Sequence, residues 1–172
     1  MESIEIVNEA AYTLGSQDNS RRYAFELDLS GEYSPNSIHG VIVDGVPTAV
    51  FAAGGGATGI HDNSFIQAGD RCYLAVGWHV VCFRAIPFEY LWTLRTDEVT
   101  CFGVHYGDES GALVSHGELD ISRFTESGQV VWSKSGDDAF MGAVTLRGDH
   151  VEAIDFNGRM YRFNYLDGHE RN

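Results

Sequence analysis

Seven histidines, at positions 39, 61, 79, 105, 116, 150 and 169, are the residues of this chain best suited to metal or proton chemistry. None stands in an H-x-x-x-H or H-x-H spacing, which would place two imidazoles side by side. The densest gathering of ligand types is HYGDESGALVSHGELD (105–120), with His105, Asp108, Glu109, His116, Glu118 and Asp120. His105 and His116 bracket a strand-turn-strand pattern, so the two rings could meet at one end of a sheet. With acids converging on them they would form a metal or acid–base site, provided further groups orient the ligands. The competing reading is a solvated acidic turn beside one hydrogen-bonded strand histidine.

His61-Asp62 is a second pairing of an imidazole with a carboxylate that could orient it. Adjacent residues in extended chain point apart, which disfavours the pair. It lies in AGGGATGIHDNSFIQAGDR (53–71), where Gly54, Gly55, Gly56 and Gly59 fall within six residues. Such a loop can bring backbone N–H groups close to a ligand. Yet no G-x-x-x-x-G-K-[ST] arrangement is present, so a flexible connection or a partner-contacting loop is the expectation. Ser64 and Ser115 lack a nucleophile-elbow context. Cys72, Cys82 and Cys101 lie in apolar runs, where packing outweighs reactivity. Trp78 falls in a turn, where a large aromatic has less reason to be buried, and is a candidate binding contact.

The elements that must position these residues follow from composition and pattern. The chain has 172 residues, 44% hydrophobic and 12% aromatic, which suits one globular domain able to bury a core without disulfide or metal staples. Eleven bases against twenty-five acids give a net charge of −14. That excludes the positive potential a generic nucleic-acid or anionic-membrane binder requires. Residues 1–70 hold ten acids and only Arg21 and Arg22 as bases. No apolar run approaches the roughly eighteen residues of a membrane span. The acidic start, MESIEIVNEAAYTLG, does not read as a secretory signal, and three cysteines without ligand spacing read as reduced thiols, so a cytoplasmic protein is expected.

Helical periodicity is nearly absent, with one weak pattern over Glu2–Leu14. Short alternating apolar runs between Gly, Asn, Asp and Ser clusters dominate instead. CYLAVGWHVVCFRAIPFEYLW (72–92) and ALVSHGELDISRFTESGQVVW (112–132) align without a gap, and EAIDFNGRMYRFNYLDGHERN (152–172) continues the series. Gly77 then matches Gly117, Trp92 matches Trp132 and Gly128 matches Gly168. Each unit predicts a strand, a two-residue turn (Gly77-Trp78, Gly117-Glu118, Asn157-Gly158), a returning strand, and a third strand ending near Trp. The first turn predicts Val76 opposite His79, Leu74 opposite Val81 and Cys72 opposite Phe83. Cys72 and Cys82 then point to opposite faces and cannot pair. In the third unit the turn places Ile154, Phe156, Tyr161 and Phe163 on one face, and Val151, Ala153 and Met160 on the other.

The unit resembles the blade motif of β-propeller proteins, most closely the pyrroloquinoline-quinone-type repeat, with GQVVW (128–132) the cleanest segment. The resemblance covers about residues 70–168. It implies an all-β fold of antiparallel meanders in propeller-blade-like repeats, with a β-sandwich or flattened barrel as the alternative. Within one domain, residues 1–53 form less regular N-terminal strands, 54–71 a Gly-rich connection and 72–172 the blade-like repeats. The resemblance implies no complete propeller channel, so no cofactor-binding residue of quinoprotein enzymes carries over and no cofactor is expected.

An acidic repeat scaffold without a catalytic motif suits a non-catalytic protein-binding module, such as an inhibitor or immunity-type protein for a basic partner. Its binding candidates are Trp78, His61, Asp62, Asp108, Glu109 and Glu118. The alternatives are a metal-dependent enzyme or sensor holding its metal on His105 and His116, and a subunit of a larger assembly. The last, including a homo-oligomer, would form through a free strand edge.

Overall fold

The computed structural model describes residues 3–171. Fifteen strands form four sheets, and no helix occurs among the described residues. Sheet 1 holds β1 (Ile4–Asn8), β2 (Phe25–Asp28), β3 (Ser37–Val43) and β4 (Val46–Ala53) in the order β1-β3-β4-β2. Sheet 2 is a plain meander of β5 (Phe65–Ala68), β6 (Arg71–Val76), β7 (His79–Ala85) and β8 (Phe88–Arg95). Sheet 3 repeats it with β9 (Cys101–Gly107), β10 (Ala112–Gly117), β11 (Asp120–Phe124) and β12 (Val130–Ser135). Sheet 4 has three strands, β13 (Val144–Leu146), β14 (His150–Ile154) and β15 (Met160–Asn164).

The N-terminal quarter is a full sheet, despite its irregular sequence. Ile4–Asn8 is strand rather than helix: Ile4 and Ile6 alternate with Glu5 and pair with β3, packing on the core between sheets 1 and 2. β2 lies beside β4 and runs parallel to it, the one departure from the meander. β5 falls inside the stretch expected to be Gly-rich connection, and pairs Phe65 with Leu74.

Sheets stack face to face because their central strands are apolar on both sides. On one face of sheet 2, Cys72, Leu74, Val81 and Phe83 meet Val41, Ala49 and Phe51 of sheet 1. On the other face, Tyr73, Ala75, Val80 and Cys82 meet Val104, Leu113 and Phe124 of sheet 3. Ala112, Val114, Ile121 and Trp132 then meet Val151, Ala153, Tyr161 and Phe163 of sheet 4. The outer face of sheet 1 is covered by Tyr12 and Tyr23 from the segment between β1 and β2. No core cluster among the described residues joins sheet 4 to sheet 1, so the stack is open and no barrel closes.

The expected β6–β7 register holds: Val76 faces His79, Leu74 faces Val81 and Cys72 faces Phe83. All three cysteines are buried and free. Two other turns differ. In sheet 3 the residues between β10 and β11 are Glu118 and Leu119, one position later than expected. Gly117 is needed for another reason: a β-carbon there would stand 2.2 Å from the Asp97 carboxylate, which binds the turn's backbone. In sheet 4 Asp155 bonds to Arg159, so the loop is Phe156-Asn157-Gly158, and Ala153 rather than Ile154 faces Tyr161. That slip turns β14 over relative to β15, bringing Val151 and Ala153 to the face of Tyr161 and Phe163. Val151, Ala153, Tyr161 and Phe163 share the buried side, while Phe156 and Met160 are exposed.

Candidate functional site

His105 on β9 and His116 on β10 do come together. Val114 faces His105 and Gly103 faces His116, so the two imidazoles lie on one face of sheet 3, diagonally related. Their ring centres are 6.2 Å apart. The face looks toward sheet 4, since Val114 packs in the core that joins the two sheets. The Nε2–H of His116 donates to the carbonyl of Phe140 at 2.7 Å, and Phe102 meets the ring edge-on at 5.4 Å. Nε2 of His105 is buried without a hydrogen-bond partner. Burial drives the pKa of His105 down to about 4, with His116 and His61 adding repulsion. Burial also lowers that of His116, against the pull of the Phe140 carbonyl. Both rings are therefore neutral at pH 7.

The acids named with them go elsewhere. Asp108 and Glu109 are exposed at the tip of the β9–β10 hairpin, while Glu118 sits in the turn beyond the opposite end of β10. The Glu118 backbone is held by the Thr100 carbonyl and by the Phe140 N–H. Among the described residues no three His, Cys, Asp or Glu side chains gather as a metal requires. The hairpin alternation places two histidines on one face and sends the carboxylates to the ends.

Two clefts border the β9–β10 hairpin. One, about 430 Å³, lies between the hairpin tip and the β13–β14 turn, lined by Tyr106, Asp108, Glu109, Ser110, Leu146 and Arg147 among others. The other, about 370 Å³, is lined by His61, Asn63, Phe102, His116 and the segment Met141–Val144. His61 enters it from the loop before β5. Its Nδ1 accepts the Asn63 backbone N–H at 3.2 Å, and the His61 backbone N–H donates to the Ser64 hydroxyl. Asp62 is exposed and makes no hydrogen bond to His61 among the described residues.

Trp78 and the glycine run belong to a contact between sheets. The Arg95 guanidinium lies 4.1 Å from the centre of the Trp78 ring, and Tyr33 meets it edge-on at 5.9 Å. Gly54 and Gly55 pass against the indole, where a β-carbon on Gly55 would come within 2.9 Å of the ring. The Gly56 N–H is bonded to the Val99 carbonyl. The run is glycine because backbone threads between an indole and a neighbouring loop. Trp78 is consequently half-buried, unlike a free turn aromatic.

Sequence reasoning passed over Tyr106, Phe102, Met141 and Asp97. The first three carry no spacing signal, since strand stacking alone brings them to the clefts. Asp97 is 3% exposed and accepts N–H groups from Val99, Thr100, Leu119 and Asp120, tying the sheet 2–3 connection to the β10–β11 turn.

No family model matches the chain, and no curated protein matches it in sequence. Solved structures do share its architecture. It is similar to BamB from Moraxella catarrhalis, with TM-score 0.57 and 12% identity over 88% of this chain and 50% of that one. It is similar to a europium-containing methanol dehydrogenase, with TM-score 0.52 and 15% identity over 62% of this chain and 23% of that one. It is also similar to the computationally designed Ika8 protein, with TM-score 0.59 and 12% identity over 82% of this chain and 46% of that one. This chain thus spans half or less of each of these three. BamB and the methanol dehydrogenase are β-propeller proteins, so the sheets stack as propeller-type blades. At these identities the likeness defines fold and nothing about activity.

Proposed function

We propose that this protein is a non-catalytic binding module that takes a basic protein partner, in the manner of an inhibitor or immunity-type protein. Asp108 and Glu109 support this reading: both are exposed at a hairpin tip, beside the half-exposed Tyr106, and neither has an ion-pair partner among the described residues. Most of the arginines that could neutralise such acids are occupied. Seven of the ten, Arg21, Arg84, Arg95, Arg147, Arg159, Arg162 and Arg171, are ion-paired with carboxylates. The surplus negative charge stays available to steer a cationic partner, and a tyrosine beside free carboxylates suits a lysine or arginine side chain.

The test is capture on the immobilised protein at low salt, repeated at high salt, comparing wild type with Asp108→Lys/Glu109→Lys. One dominant basic protein that leaves as salt rises, and that the double variant fails to hold, is the expected result. No stoichiometric partner at low salt, or equal retention by the double variant, overturns the proposal.

The open stack favours a second reading, a subunit of a larger assembly. Sheet 4 leaves Met160 exposed on β15 and Phe156 exposed in the β14–β15 loop. Light scattering that shows a strict monomer across concentrations would remove the homo-oligomeric form of this reading.

A further inference from the structure

The 370 Å³ cleft between sheets 3 and 4 differs from the rest of the surface. None of its lining residues, His61, Asn63, Phe102, His116 and Met141–Val144, carries a fixed charge, on a protein with a net charge of −14. The volume falls in the range of about 300–1,000 Å³ typical of small-molecule sites.

We propose that this cleft binds an uncharged, flat heteroaromatic molecule bearing an N–H donor. Because His116 gives its Nε2–H to the Phe140 carbonyl, its Nδ1 keeps a lone pair and must accept. His61 is set the other way: its Nδ1 receives the Asn63 N–H, so its Nε2 carries the proton and can donate at the mouth. The backbone offers little competition. The N–H of Met141 already bonds the Ala139 carbonyl, and that of Gly142 the Ile154 carbonyl. Polar recognition therefore falls to side chains, the two imidazoles and the Asn63 carboxamide.

The apolar groups select shape. Phe102 supplies an aromatic surface from sheet 3, and Met141, 55% exposed despite its thioether, supplies a soft one from the segment entering sheet 4. Both line the same cleft, and such surfaces suit a ring that offers a π-face. Charge selects further: an ion entering would shed water without meeting a counter-charge among the lining residues. His105 stands behind His116 with its Nε2 unpartnered, an unused hydrogen-bonding group within the same imidazole pair.

The test is an NMR titration of the full chain, observing the histidine ring signals, with four probes: indole, 1-methylindole, indole-3-acetate and tryptamine. Indole should saturate one site and shift the His116 and His61 signals. 1-Methylindole, lacking the donor, and the two charged probes should bind at least tenfold more weakly. Met141→Asp changes an exposed side chain and should melt at the wild-type temperature while losing indole binding. Three results each overturn the proposal: no saturable shift with indole up to its solubility, equal binding of 1-methylindole, or unchanged indole binding by the Asp variant. Saturable shifts at other histidines that leave His116 and His61 unmoved overturn it as well.

Discussion

The indole of Trp132 lies against Gly168, so closely that a β-carbon on the glycine would stand 2.7 Å from the ring. The indole N–H donates to the Tyr165 carbonyl at 2.8 Å, three residues before that glycine. The preceding unit does the same: Trp92 lies against Gly128 and donates to the Glu126 carbonyl at 2.9 Å. Each tryptophan lies within a sheet's last strand and docks on the next sheet, so the repeat in sequence is a repeat of inter-sheet contacts.

Both docking glycines have positive φ, 81° at Gly128 and 66° at Gly168. Gly128→Ala and Gly168→Ala should each lose about 2–4 kcal/mol, combining left-handed backbone strain with overpacking against the indole. Gly158→Ala is the control, with φ 83° and open space around it. It should lose only the backbone share, about 1–2 kcal/mol. Urea unfolding of the three variants measures the difference. Equal losses would show that the indole contact contributes nothing.

Asp97 holds four backbone N–H groups, two on each carboxylate oxygen. Asp97→Ala strands them, and at about 1–3 kcal/mol for a buried unsatisfied donor the loss should reach about 3 kcal/mol or more. Asp97→Asn keeps one acceptor oxygen and turns an NH₂ toward the other pair, so it should fall between. An Ala variant with wild-type unfolding midpoint would refute this role.

Acid should weaken the fold before the carboxylates titrate. Burial holds His105 near 4 in the folded protein, against 6.5 for the free side chain. The unfolded chain therefore binds the proton that the folded one refuses, and stability falls as pH drops from about 6.5 to about 4. From pH 7 to pH 5 the His105 contribution is about 2 kcal/mol. His79, also lowered to about 4 by burial and by Arg95, acts in the same direction. The ion-paired Asp149, held to about 2 by Arg171 and His150, stays ionised through that window. Unfolding midpoints at pH 7 and pH 5 should converge in His105→Leu relative to wild type. An identical pH slope in both would contradict the assignment.

The three thiols should be silent in the native state. Cys72 and Cys101 are pushed up to about 12 and Cys82 to about 11, chiefly by burial. A chromogenic thiol reagent should titrate none of them at pH 8 in buffer and all three in denaturant. Fast reaction of any one in buffer would show that its sheet opens locally.

Particular residues show how far the sequence reaches. Gly77-Trp78 between two apolar runs determined the β6–β7 register, because turn length and alternation are local properties. It also determined that Cys72 and Cys82 face apart, and the spacing of Trp92 and Trp132 marked the repeat. β1 was masked by a weak helical spacing over Glu2–Leu14, and β5 by the glycines before it. Asn157-Gly158 led the sheet 4 register astray by one residue, since Phe156 joins the loop and a single slip turns one strand's side chains over relative to its partner's.

Which side chains meet across sheets was decided only by the tertiary structure. Within one hairpin it brought His105 to His116 and sent Asp108, Glu109 and Glu118 to the ends. It laid the Gly54–Gly56 run against Trp78, and it brought Phe102 of sheet 3 and Met141 of the segment entering sheet 4 to one cleft. Period-two alternation assigns a residue to a face, but the neighbour it finds there depends on how twisted sheets stack, and no local pattern records that.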